Sequence, residues 1–158
     1  MPKNLLIIGQ CGSGKTWVMR QLIEIYQAKI TEKCGLFCYH RNQSNIIVGK
    51  YDGSMFQGSD RLSMALMKDA GLFARSSASY NVIGEGDRLT NKTYISRLKP
   101  KIIRIMDDGA RGREARGSRQ TARHIQAIAT RVANIQSDYD VPDSQAALAA
   151  VIELLGKN

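Results

Sequence analysis

Eight residues near the start of the chain, Gly9-Gln10-Cys11-Gly12-Ser13-Gly14-Lys15-Thr16, constrain the fold more than any other feature. They match the pattern GxxxxGK followed by Ser or Thr. They stand between a short apolar run, Asn4-Leu5-Leu6-Ile7-Ile8, and a stretch with helical spacing. A continuous Leu/Ile run of this length suits a buried parallel strand. The glycines permit a tight turn whose N–H groups point inward. A helix starting near Lys15 adds the positive end of its dipole. Strand, turn and helix together predict a P-loop, a cradle for phosphate groups. Gly9, Gly12, Ser13, Gly14, Lys15 and Thr16 are the candidate nucleotide-binding residues. Lys15 suits the β- and γ-phosphates of a nucleoside triphosphate, and the Thr16 hydroxyl suits Mg²⁺. Cys11 reads as a small filler within the loop.

The chain beyond the loop alternates strands and helices. Met19, Leu22, Ile23, Tyr26 and Ile30 share one face of a helix predicted over about residues 15–32, with Gly35 as its stop. Residues 36–40 and 46–48 read as strands, and 50–61 as a loop dense in Gly, Asp and Ser. A helix is expected over 61–72, a polar linker over 75–79, a buried strand over 80–84 and a short helix over 90–98. A strand over 101–106 precedes a mobile glycine- and arginine-rich segment at 109–118. Helices over 120–135 and from Ser144 onward close the chain. The first of these carries Ile125, Ile128, Val132 and Ile135, the second Leu148, Val151, Ile152 and Leu155. Trp17 is expected to pack the first helix on the sheet. This order predicts a single α/β domain over residues 1–158, a three-layer α/β/α sandwich with a mainly parallel sheet.

Composition agrees with that architecture. The chain has 158 residues, 43% hydrophobic and 23% charged, enough to bury a core without disulfides or a structural metal. No apolar run approaches the roughly 18 residues of a membrane helix. The N-terminal run is also too short for a secretory signal. Three cysteines, Cys11, Cys34 and Cys38, fit a reducing compartment, so a soluble cytoplasmic protein is expected. Cys34, Cys38 and His40 have metal-ligand types but no evident fourth ligand. Net charge is +9, and residues 97–131 hold ten basic and three acidic side chains, which is +7 of it. Such a stretch suits an anionic partner, nucleotide phosphates or nucleic acid, though a solvated face has the same composition.

Three further clusters bear on chemistry. The strand at 80–84 ends in Glu85-Gly86-Asp87-Arg88, at the end of a parallel strand where ligands gather. Both carboxylates, Glu85 and Asp87, are candidates for holding magnesium through water or for orienting an acceptor hydroxyl. Arg88 suits a phosphate, or a local ion pair with Asp87. In the loop at 50–61, Asp52 and Asp60 are candidate general bases. There Tyr51 and Phe56 suit stacking on a base, and Arg61 an acceptor phosphate. Arg111, Arg113, Arg116, Arg119 and Arg123 form the third cluster. Arginines on a closing lid can stabilise the charge of phosphoryl transfer and exclude water. On a helix, Arg116, Arg119 and Arg123 share a face that also suits a DNA or RNA backbone. His124 lies among them. The guanine-specificity pattern Asn-Lys-x-Asp is missing, since Asn91-Lys92-Thr93-Tyr94 lacks the aspartate. The small size and the arginines favour a kinase.

Taken together, the P-loop, the central Gly49-Lys50-Tyr51-Asp52-Gly53 with Phe56 to Met64, the Glu85 to Arg88 segment and the late arginine stretch resemble a family of bacteriophage P-loop kinases. These are the 5-hydroxymethyluracil DNA kinases of phages with hypermodified thymidine. The resemblance spans about residues 5–135, and the central segment is its specific part. More distantly the chain resembles nucleoside and nucleoside monophosphate kinases. The resemblance implies transfer of the γ-phosphate of ATP to the hydroxymethyl group of 5-hydroxymethyluracil in DNA, with Mg²⁺. It implies that Lys15 and the P-loop bind ATP, with Thr16 and Glu85 at the metal. Glu85, Asp87, Arg88 and Asp60 are then the catalytic candidates, the general base staying open among Glu85, Asp87, Asp60 and Asp52. The lid is placed at about 107–123. Within it, Arg111, Arg113 and Arg116 serve the nucleotide, and Arg119 and Arg123 join Tyr51, Asp52 and Arg61 at the substrate. Two alternatives stand beside this reading: a kinase of free deoxynucleosides or their monophosphates, and a DNA-binding P-loop NTPase without an acceptor.

Overall fold

The computed structural model describes residues 1–53 and 58–156, apart from the Asp60 side chain. Phe56 and the carboxylate of Asp60, both site candidates, therefore lie outside the described residues. Seven strands form one sheet in the order β2-β3-β4-β5-β1-β6-β7. The central strand β1 (Asn4–Gly9) pairs in parallel with β5 (Asn81–Glu85) on one side and β6 (Lys101–Ile105) on the other. The parallel part continues outward to β4 (Asn45–Val48) and β7 (Tyr139–Val141). An antiparallel hairpin of β2 (Ile30–Cys34) and β3 (Phe37–Arg41) extends the β4 edge.

Alternate side chains of β1 serve opposite faces of the sheet. Leu6 and Ile8 enter a core with Phe73 of α2 (Ala70–Ser76), Tyr94 of α3 (Lys92–Leu98) and Ile128 and Val132 of α5 (Ala122–Asn134). Within that core the Phe37 and Phe73 rings stack at 4.4 Å. Leu5 and Ile7 enter the other core, with Val18, Met19 and Leu22 of α1 (Lys15–Ile25) and Ala147 and Val151 of α6 (Ser144–Gly156). Helices thus cover both faces, which explains why β1 reads as an unbroken apolar run and is compatible with a three-layer sandwich. A short helix, α4 (Ala110–Ala115), follows β6 and buries none of its own residues. Among the described residues, no helix is long and apolar enough to cross a membrane.

Several elements depart from the sequence expectation. The first helix stops at Ile25, and Gln27 adopts a left-handed φ of 52°. Gln27 N–H bonds to Glu24 O and Ala28 N–H to Ile23 O, the Schellman ending. Glutamine stands where glycine usually signals that ending, so the apolar spacing runs on past it. Ile30 instead opens the edge strand β2 and is 46% exposed. Gly35, at φ 58°, lies in the turn of the hairpin. The helix expected over 61–72 is two 3₁₀ turns, Ser59–Arg61 and Leu66–Asp69, before α2. Asp69 stands at the N-cap of α2 without capping it, because its Oδ2 accepts the Leu36 N–H at 2.9 Å. The strand β7 has no counterpart in the sequence expectation; Tyr139 and Asp140 are exposed and Val141 is half-buried, with no apolar run to mark them. Trp17 does not pack on the sheet: it is 39% exposed, and Val18 and Met19 face inward in its place. Ile152 also lies partly outside, and Ala147 is buried with Val151 instead.

Candidate active site

The carboxyl end of β1 runs directly into the glycine-rich turn. Gly12 and Gly14 take positive φ values of 84° and 97°, which side chains other than glycine rarely adopt. Gly14 is the N-cap of α1 and supplies no side-chain cap; the first turn carries no acidic residue. The helix therefore presents its leading N–H groups, and its positive end, to whatever anion enters the turn. Ser13 Oγ is buried with no hydrogen-bond partner among the described residues. A buried hydroxyl left unsatisfied is costly, and here it lies where a phosphate oxygen would satisfy it. The Lys15 ammonium donates to Gly9 O at 2.8 Å and Gln10 O at 2.9 Å. Thr16 follows, half-buried. These donors fit a nucleoside triphosphate with its magnesium.

Glu85 ends β5, paired beside Ile7 of β1, so it stands next to the turn. It is 4% exposed. Its Oε1 accepts from the Tyr51 hydroxyl at 3.1 Å and from Ser59 N–H at 3.4 Å. The segment that brings these donors is pinned at its base, where Lys50 and Gly58 exchange backbone hydrogen bonds. A Cβ on Gly58 would fall 2.4 Å from Glu85 Oε1, so only glycine leaves the carboxylate its place. Tyr51 N–H also donates to His40 Nε2 at 3.2 Å. Burial holds the His40 imidazole below its ordinary value, and the Asp52 carboxylate partly offsets this. Tyr51 is thus built in beside Glu85, with its ring packed toward the α1/α6 core.

The remaining candidates divide into pairs that sequence proximity does not suggest. Asp52 bonds Arg61 at 3.1 Å. Asp87 pairs with Arg131 of α5, not with its neighbour Arg88. Arg88 Nη1 donates to Leu62 O. Arg131 belongs to the basic stretch but is not among the arginines that sequence reasoning selects. It lies eight residues beyond Arg123 on the same helix, which is the signal that points to it. Ser59, also absent from the sequence candidates, is buried beside Gly86, its hydroxyl without a partner among the described residues.

The arginine segment comes down on the glycine-rich turn. The segment at 109–118, expected to be mobile, contains α4 at 110–115. Arg113 Nη1 donates to Cys11 O and to Asp108 O, each at 2.8 Å. A Cβ on Gly109 would fall 1.9 Å from Cys11 O, and one on Gly112 would fall 2.0 Å from Gly12 O. Two glycines three residues apart therefore let the backbone of this segment lie against the loop. Arg111, Arg116, Arg119 and Arg123 remain exposed to solvent. Gly14 is approached from the other side by Ser144, the first residue of α6. No protein-family model matches this chain, and no curated protein matches it.

Proposed function

We propose that the chain is a kinase that transfers the γ-phosphate of ATP to the hydroxymethyl group of 5-hydroxymethyluracil in DNA. One observation carries the phosphotransferase part of this reading. An uncapped helix N-terminus, an unsatisfied buried Ser13 hydroxyl and the Lys15 ammonium converge on one turn, with the buried Glu85 beside it and Arg113 above it. Convergent donors in such a place stabilise the charge that phosphoryl transfer spreads over the equatorial oxygens. The choice of acceptor rests on the family resemblance and on the +7 carried by residues 97–131.

In this reading the turn and Lys15 orient the donor triphosphate. The acceptor oxygen attacks the γ-phosphorus, the bond to the bridging β–γ oxygen breaks, and ADP leaves. The hydroxyl proton passes to Glu85, whose carboxylate the Tyr51 hydroxyl and Ser59 N–H hold in place. The base need not be strong, because positioning and charge neutralisation do most of the chemistry. Mg²⁺, held by the Thr16 hydroxyl and through water by Glu85, would supply further neutralisation of the phosphates. Arg113, on its short segment, contributes positive charge and helps keep water out, which limits idle hydrolysis. DNA would have to present its modified base unstacked, since a duplex cannot bring the 5-substituent to the foot of a closed site.

The test is label transfer from γ-labelled ATP with three acceptors side by side: 5-hydroxymethyluracil in DNA, the free nucleoside and its monophosphate. Label in the DNA base, lost in Lys15→Ala, is the expected result. Label only in a free nucleotide would replace DNA by the free-nucleotide alternative. Hydrolysis of ATP with no labelled acceptor would leave the NTPase alternative.

A further inference from the structure

Beyond the end of β5, on the side of α2, α3 and α5, a cleft of about 310 Å³ opens between the Leu66–Asp69 turn and the start of α3. One wall is apolar and includes Met64 and Met67; the other offers Asp87, Arg88, Asn91 and Arg131. Met64 stands 82% exposed at the rim. Asn91 uses its side-chain oxygen to cap α3 through Thr93 N–H at 2.8 Å, which leaves its amide NH₂ as the group to offer a ligand. Arg131 and Asp87 close an ion pair within the cleft, their side chains 48% and 37% exposed. Water weakens a pair so exposed, and a phosphate binds a guanidinium in the same fork geometry as a carboxylate.

We propose that this cleft takes the acceptor nucleotide: a pyrimidine base against the methionine wall, and a phosphate that displaces Asp87 from Arg131. The inference rests on the phosphotransferase reading and names the pocket on its acceptor side. Thioethers make favourable contacts with aromatic rings, and the Asn91 amide suits the polar edge of a base. The volume is at the foot of the range for ligand pockets, about 300–1,000 Å³, which suits a single nucleotide. The cleft opens at the carboxyl end of β5, the end of the sheet that also carries Glu85 and the glycine-rich turn, with Asp87 two residues after Glu85. Release of Asp87 on binding would also add a second carboxylate near the acceptor only when one is present.

Equilibrium binding without ATP tests this. Two single-stranded oligonucleotides of one sequence are compared, one with a central 5-hydroxymethyluracil and one with an abasic site there. The wild type is expected to prefer the base by about tenfold, the low end for base stacking on a side chain. Met64→Asp, at an exposed position that leaves the core untouched, is expected to erase the preference. Arg131→Ala is expected to weaken the base-containing strand by about tenfold, as removal of a guanidinium–phosphate bond does. Equal affinity of the two strands for the wild type overturns the proposal, and so does a preference that survives both substitutions. The two readings fail separately. Label transfer that needs Lys15, with no base preference, keeps the kinase and removes this pocket. A preference lost in Met64→Asp, with no transfer to any acceptor, keeps a nucleotide pocket and removes the kinase.

Discussion

Lys15 and Ser13 show how a single residue can be poised for an incoming charge. The Lys15 ammonium rests on the carbonyls of Gly9 and Gln10, and the Ser13 hydroxyl meets no partner among the described residues. Ser13→Ala removes a buried group that lacks a partner, so it should stabilise the ligand-free protein by up to about 1 kcal/mol. The same change should weaken ATP binding. Urea unfolding and an ATP titration read the two effects, which have opposite signs only if the hydroxyl is kept for a ligand. His40 gives a second prediction at this scale. Its Nε2 accepts the Tyr51 N–H, a bond available only to the neutral ring. Its folded value lies below the ordinary 6.5, so the unfolded chain binds the proton more readily. The resulting stability is fully present above about pH 6.5 and is lost as the pH falls from there through the lower folded value. Unfolding at pH 7.5 and 5.5 should therefore differ more for the wild type than for His40→Asn.

At the scale of elements, the contact of α4 with the glycine-rich turn depends on two glycines. Gly112→Ala puts a methyl where Gly12 O now lies, and neither backbone can yield cheaply. The segment should lift from the loop, making the Arg111–Arg119 region more susceptible to trypsin, while α4, which buries none of its residues, contributes little to global stability. Phosphate transfer should fall by roughly 10²–10³-fold, the cost of removing one preorganised donor. The sheet hairpin gives the contrasting case. Phe37→Ala removes a ring stacked on Phe73 in a filled core and should cost about 3–5 kcal/mol in urea unfolding. How far such elements can be read from the sequence depends on what marks them. β1, β4, β5 and β6 announce themselves as apolar runs because both their faces are buried. The turn between β1 and α1 is legible because Gly12 and Gly14 are required there by positive φ. The hairpin is half hidden, since a Schellman ending on Gln27 carries no glycine to mark it. The role of Gly109 and Gly112 is invisible, because it lies in a contact with residues about a hundred positions away. Likewise nothing local ties Asp87 to Arg131.

Across the whole molecule, charge and topology meet at one end of the sheet. The central strand and its parallel neighbours deliver the glycine-rich turn, Glu85 and the arginine segment to their carboxyl ends, where an open α/β sheet binds ligands. The basic excess of residues 97–131 lies on the segments that follow β6, with Arg116, Arg119 and Arg123 exposed. If these hold DNA phosphates, the affinity for single strands should fall steeply with salt. Replacing Arg119 and Arg123 by glutamine should reduce the slope of log affinity against log salt by about 1.4, at roughly 0.7 for each phosphate no longer neutralised. Every part of this account depends on the cradle at the end of β1. The measurement that tests it most directly is a calorimetric titration with ATP and Mg²⁺, run on the wild type and on Lys15→Ala at matched fold, checked by circular dichroism. The account predicts one site per chain in the wild type and affinity at least about tenfold weaker in Lys15→Ala, as expected when a charge-assisted hydrogen bond is removed. A wild type that binds no ATP, or a Lys15→Ala variant that binds it equally well, would contradict it.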